Sequence, residues 1–188
     1  MPRPSYRILR LLNDLSLVEV VLLEDLVGVK LASFQLPPSK KGEKVKVPLW
    51  LARLLQERGL AGIDIENELV WLGRVHWREK VQPPQDALSL SNLPKDFYPR
   101  VLNIIHALYT FYNDPVVRQR LGQAENFFRD IVGRRLHVIT EMARLETTAL
   151  SILERLTLEE RCLLDQLREM VSEWMVEVAK GRSAHGEG

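Results

Sequence analysis

Lys44-Val45-Lys46-Val47-Pro48-Leu49-Trp50-Leu51-Ala52-Arg53-Leu54-Leu55-Gln56-Glu57-Arg58-Gly59 is the stretch on which the fold turns. Val45 and Val47 share one face and Lys44 and Lys46 the other, the period-two pattern of a half-buried strand. Pro48 follows where a first helical residue belongs, because its missing N–H has no partner to lose there. Leu51, Leu54 and Leu55 then form a one-sided stripe flanked by Trp50. Gly59 supplies a left-handed stop. Ahead of this seam the chain reads as β, and behind it nearly everything reads as helix. Pro48 and Trp50 are therefore expected at the corner between the two, with Trp50 packed into it.

The strands lie upstream. Val18, Val20 and Val21 make one, Glu24-Asp25 breaks it, and Val27 to Phe34 makes a second. Pro37 to Gly42 is a loop, since two prolines interrupt any ladder and Gly42 permits a tight reversal. Tyr6, Ile8, Leu9, Leu11 and Leu12 suit either a short helix or a strand, with helix the better fit. A sheet this small buries too little to stand robustly alone and has to lean on something.

Downstream, Leu60 to Ile63 reads as a turn, and Asp64 caps a helix running to about Lys80. Val81 to Leu93, with Pro83-Pro84, is a loop. Pro94 opens a helix carrying Phe97, Val101, Ile104, Ile105, Leu108 and Phe111, and Pro99 falls in its first turns. Asn113-Asp114-Pro115 ends it. A long helix spans Val116 to about Leu145. Thr157 caps the last one, whose stripe is Leu163, Leu167, Met170, Val171, Trp174 and Val178. The expected class is α+β, mainly α: a small β-rich domain at 1–47, a helical domain of about five helices at 48–180, and a disordered tail at 181–188.

The chain has 188 residues, 46% of them hydrophobic and 27% charged, with a formal net charge of +1. That composition is ordinary for a soluble globular protein and exerts no global pull on nucleic acid. No apolar run reaches the roughly 20 residues of a membrane span, and the N-terminal residues lack the order of a secretory signal. The one cysteine, Cys162, fits a reducing compartment, so a cytoplasmic setting is expected, with no membrane partner.

Chemistry-bearing patterns are sparse. His137 and Glu141 sit one turn apart, the spacing of two metal ligands where a site needs three or four. His76 and His106 read as histidines at the edges of packing. There is no phosphate loop, no His-Glu-x-x-His and no paired-cysteine motif, so catalytic, metal and cofactor residues are all assigned as none. Lys40, Lys41, Lys44 and Lys46 cluster, as do Arg3, Arg7 and Arg10, with Arg134 and Arg135 a further pair. Such patches can neutralise phosphates, but lysines also guard strand edges, and no aromatic platform interleaves with them. A weak DNA contact at Lys40–Lys46 and Arg3–Arg10 is the alternative function.

The aromatic residues exceed what one modest core requires. Trp50, Trp71, Trp77, Phe97, Tyr98, Phe111, Tyr112 and Trp174 are candidates for a subunit or domain interface, where such residues concentrate.

Val45-Lys46-Val47-Pro48-Leu49-Trp50-Leu51-Ala52, followed by Leu54-Leu55-Gln56-Glu57-Arg58, resembles the strand-to-helix passage of GINS replication-complex subunits, of the type with the small β-domain first. The likeness extends to Val81-Gln82-Pro83-Pro84 through Phe97-Tyr98 and Leu102. It extends more loosely to Asn126 through Leu136, like the family's helix ending in an Arg-x-x-Lys/Arg-Leu run. It departs at Ile65 to Trp71, where the family carries a proline and a tryptophan and only Trp71 survives. The compact form looks like the archaeal subunit. The resemblance implies a 2:2 heterotetramer with a sister subunit of reversed domain order. It also implies partners in the MCM helicase and a RecJ/Cdc45-like protein at the nucleoid-associated replication fork, and no active site.

Overall fold

The computed structural model describes residues 6–30, 34–81, 90–111, 113–145 and 150–183. In chain order the elements are α1 (Tyr6–Leu15), β1 (Leu17–Leu22), β2 (Val29–Lys30), β3 (Gln35–Leu36), β4 (Lys44–Pro48), α2 (Leu49–Glu57) and β5 (Ala61–Gly62). There follow α3 (Ile65–Val81), α4 (Phe97–Thr110), α5 (Pro115–Ala143), α6 (Leu150–Leu153) and α7 (Leu158–Ser183). The protein is mainly α with a small antiparallel sheet. Among the described residues, no helix is long and apolar enough to cross a membrane.

The sheet is ordered β4-β1-β5. Val18 lies opposite Val47 and Val20 opposite Val45, and all four are buried. Their alternation with exposed Glu19, Lys44 and Lys46 is the two-faced pattern read from the sequence. The third strand departs from that reading. Ala61-Gly62, read as a turn, returns beyond α2 to pair with Val21-Leu22. Two residues carry too little pattern to announce a strand, and only the open edge of β1 recruits them. β2 and β3 pair apart as a short ribbon, Val29 opposite Leu36.

The apolar face of the sheet is covered by α2. Leu49, Leu51, Ala52 and Leu55 join Val18, Val20, Leu22, Val45 and Val47 in one core. Residues 1–47 therefore close no core by themselves, and the sheet reaches past residue 47 to β5. Pro48 ends β4 opposite Leu17 and stands at the helix N-cap with φ −55° and ψ 144°, one residue short of its expected helical position. The extended ψ is what keeps it in the ladder. Trp50 is not packed into the corner: it is 38% exposed, because the α2 face that meets the sheet begins at Leu49 and continues at Leu51 and Ala52. Gly59, at φ +69°, ends α2 in the left-handed conformation that glycine adopts without strain. On the far side of α2, buried Gln56 donates through Nε2 to Asn103 Oδ1 at 2.9 Å and ties it to α4.

The main core lies between α3, α4 and α5, around Leu72, Val75, Phe97, Val101, Ile104, Leu108, Ala124 and Ile131. Caps set the helix starts: Asp64 accepts from the Asn67 N–H, and Asp114 from those of Val116 and Val117, with Pro115 in the first turn of α5. α4 begins at Phe97, three residues after Pro94, with Pro99 buried in its first turn, where a proline loses no helical hydrogen bond. A third cluster, of Leu90, Val138, Ile139, Met142, Leu156 and Leu164, seats α7 on α5. Helix α7 then continues to Ser183, past the expected end at 180.

Candidate subunit interface and the polar hub that anchors it

α7 is two different objects end to end. Its first turns are tied down. Thr157 caps it, its Oγ1 accepting from the Glu160 N–H at 3.4 Å while its own N–H donates to Glu160 Oε2 at 2.8 Å. This reciprocal pair closes a capping box. Leu164 is buried and Leu163 and Leu167 are partly covered. Past Leu167 the stripe continues in sequence but is exposed. Met170, Val171, Trp174, Met175 and Val178 are all exposed, Trp174 at 63%. Beside Trp174 and Met175 a groove of about 840 Å³ opens against Ala143, Arg144 and Leu145 at the end of α5.

The anchor is Arg135 of α5, fully buried. Its Nε donates to Glu160 Oε1 at 2.5 Å and its Nη2 to Glu160 Oε2 at 2.8 Å, a two-pronged grip on α7. Nη2 also reaches the Arg155 carbonyl at 2.8 Å, and Nη1 the Ser91 carbonyl at 3.0 Å. Nη1 lies 3.4 Å from both oxygens of Glu79 on α3. Ser91 Oγ donates to Glu79 Oε2, and Tyr98 Oη to Glu160 Oε1 at 3.0 Å. One guanidinium thus holds together α3, the segment before α4, α5, the turn after α6, and α7.

Burial works against its charge, but the hydrogen bonds and charge of Glu160, then the charge of Glu79, more than offset it and hold Arg135 above its ordinary pKa. Burial, followed by the charge of Glu160, pushes the Tyr98 phenol far above its usual range. Arg134 and Arg135, read as a pair able to meet phosphates, instead face Glu79 and Glu160, Arg134 Nε lying 3.9 Å from Glu79. A basic dipeptide on a helix shows no sign of which carboxylates will come to it from 56 and 25 residues away.

The candidate aromatic residues divide. Phe97 is buried in the main core against Tyr98, Trp71 and Phe128, so it is removed from any subunit surface. Trp71 and Tyr98 are partly buried there, Trp71 lying under the Arg100 guanidinium at 3.9 Å, which in turn grips Glu68. Trp50, Trp77, Phe111 and Trp174 are exposed. Tyr112 lies outside the described residues, as do Arg3 and Pro83-Pro84. The helix favoured for the N-terminal residues forms as α1, but its apolar face is not covered: Ile8, Leu11, Leu12 and Leu15 are exposed, and among its described side chains only Leu9 is a buried hydrophobic. The i, i+3, i+4, i+7 spacing of that face is legible in the sequence, but spacing does not say whether a face is covered.

The lysine cluster is interleaved with acids. Lys44 Nζ lies 3.4 Å from Glu19 and 3.9 Å from Asp64, while Asp25 and Glu43 accept from the Lys41 and Lys40 N–H groups. Hydrogen bonds from Asn67, aided by Lys44, hold the Asp64 carboxyl below its usual value. Carboxylates inside the patch repel phosphate. Of the arginine cluster, Arg7 and Arg10 are exposed.

His137 and Glu141 stand a turn apart, Glu141 meeting Arg144 at 3.5 Å. Among the described residues, no group of three or more His, Cys, Asp or Glu is placed to hold a metal. His76 stacks on Phe127 and pairs with Asp130 at 2.9 Å. Cys162 is buried, and burial raises its thiol pKa. A groove of about 520 Å³ between α1, α2, α4, α5 and α7 holds the Arg53–Asp14 and Arg135–Glu160 pairs, with Arg10, Asn13 and Glu159 also in its lining. No known family model matches the chain, and no curated protein matches it.

Proposed function

We propose that this chain is a non-catalytic DNA replication factor of the GINS type, a scaffold and activator that links the MCM helicase to a RecJ/Cdc45-like partner. The observation that carries the scaffold reading is the free half of α7. A long helix, locked at its root by a buried ion network, extends an unpaired row of Val171, Trp174, Met175 and Val178 into solvent. Large exposed apolar rows mark association surfaces. The family assignment rests on the Val45–Ala52 passage and the Phe97-Tyr98 and Asn126–Leu136 segments. On this reading a small N-terminal β-domain precedes a bundle of about five helices. The core shared by the sheet and α2 argues for drawing the division after β5.

The lysine patch, threaded with Glu19, Asp25, Glu43 and Asp64, gives the DNA-binding alternative little support. The experiment is co-expression with a sister subunit of reversed domain order, followed by native mass measurement. A 2:2 assembly that co-purifies with MCM or a RecJ/Cdc45-like protein is expected. Failure to assemble, with each chain well folded, overturns the assignment.

A further inference from the structure

Helix α3 carries two tryptophans, and their surroundings differ in one respect. Trp71 packs against the main core, and the Arg100 guanidinium lies over its ring at 3.9 Å. That cation has its own anion, since Arg100 donates to both oxygens of Glu68, at 2.7 and 2.9 Å. Trp77 is 62% exposed and stands among Arg74, Arg78 and Lys80, which are exposed as well. At 3.6 residues per turn, Arg74 lies about 60° to one side of the indole and Lys80 about 60° to the other, with Arg78 beyond Arg74. Among the described residues, no ion pair or hydrogen bond engages these three cations. The carboxylates nearby are committed elsewhere: Glu66 to Arg120, Glu68 to Arg100, Asp130 to His76, and inward-pointing Glu79 to Arg135. Exposed Lys95 and Asp96, on the segment that returns beside α3 from Ser91 to Phe97, offset each other in charge.

A helix dipole favours cations near its C-terminus, which accounts for Arg78 and Lys80 but not for a bare indole between them. The arrangement is that of Trp71 with the anion missing. We propose that a single-stranded nucleic acid supplies it, one base lying on the Trp77 indole while the phosphates to either side meet Arg74, Arg78 and Lys80. Arg74 and Arg78 stand about 6 Å apart along the axis, so the cations are strung along the helix rather than focused on one point. Paired bases in a duplex are stacked on one another and offer no face to an indole. An acidic peptide satisfies the cations and leaves the indole uncovered. A lipid surface calls for a broad apolar face, and among the described side chains the outer face of α3 adds only Val70 to Trp77. The platform is separate from the Lys40–Lys46 patch, and it does not depend on the replication reading.

The test uses the full chain alone, so its result is separate from co-assembly with a sister subunit. Fluorescence anisotropy with a labelled oligothymidylate of about a dozen nucleotides, within the usual site sizes, should show binding at low salt. The affinity should fall with salt at a log–log slope of roughly −2, from about 0.7 per phosphate contact. Trp77→Ala should weaken binding by roughly tenfold, the usual scale of one stacked base, while Trp77→Phe keeps most of it. Arg74→Gln with Arg78→Gln should flatten the salt slope by about 1. Replacing Lys40, Lys41, Lys44 and Lys46 by Gln should change neither quantity, and circular dichroism should be the same in every variant. Absence of binding at low salt, indifference to Trp77→Ala, or equal affinity for a duplex of the same length overturns the proposal. So does displacement by polyglutamate as readily as by unlabelled oligothymidylate, which would assign the face to an acidic protein. Flotation with phosphatidylserine vesicles that Trp77→Ala abolishes overturns it too, and would assign the face to a membrane.

Discussion

The two halves of α7 carry the same apolar period, and they differ in almost everything else. From Thr157 to Leu167 the helix has a capping box, the grip of Arg135 on Glu160, and a hydrophobic seat on α5. From Met170 to Val178 it has the stripe alone. The contrast shows that amphipathic spacing reports a need for cover and does not say who provides it. In the first half the cover is this chain's own α5. In the second half no described residue of this chain covers the stripe, and the hub anchors only the root of the helix.

The comparison breaks most readily at the hub. Arg135→Ala leaves Glu79 and Glu160 buried without their cation, a change that typically costs about 3–5 kcal/mol. Urea unfolding should show that loss, and a shift within error would mean the ion network is dispensable. The same substitution should loosen α7 as a whole, read as faster amide exchange through both halves.

Alkaline pH attacks the same hub more gently. The folded Tyr98 pKa is raised by burial and by Glu160, so its contribution is present in full below about pH 10, where an unfolded tyrosine titrates. Above that the unfolded chain releases a proton that the folded one keeps, and stability falls as pH rises. Linkage for one proton gives a loss of roughly 1.4 kcal/mol at pH 11. Tyr98→Phe should flatten that limb of the stability profile, and an equal slope in both proteins would remove Tyr98 as its source.

Smaller still is the cap. Thr157→Ala should cost about 1 kcal/mol, the usual value of a threonine N-cap, measurable as a lower urea midpoint at unchanged slope. The smallest expected effect sharpens the comparison from the other side. Trp174→Ala should change the stability of the isolated, dissociated chain by no more than about 0.5 kcal/mol, as exposed positions do, while weakening assembly. A fold loss of core size would show that the free half is already covered within the monomer.

Much of the local structure was legible from the residues. Asp64 and Thr157 cap the helices they were expected to cap, Gly42 and Gly59 hold positive φ, and the Val/Lys alternation of β4 survives intact. Each of these signals acts over a few residues, so a short window contains its cause. The candidate site was legible only in part. Trp77 and Trp174 were flagged alongside Phe97, although their exposures are 62%, 63% and 0%. Nothing within a turn of any of them distinguishes the three.

By itself, then, the sequence determined where α3 and α7 begin, which faces are apolar, and where the chain passes from strand to helix at Pro48. Only the tertiary structure decided that Ala61-Gly62 completes the sheet, that Arg135 meets Glu79 and Glu160, and that α1 and the end of α7 are left bare. The physical reason is common to all three. Burial and ion pairing depend on which surfaces meet across tens of residues of chain, and an apolar stripe or a charge fits its partner equally well wherever the fold supplies one.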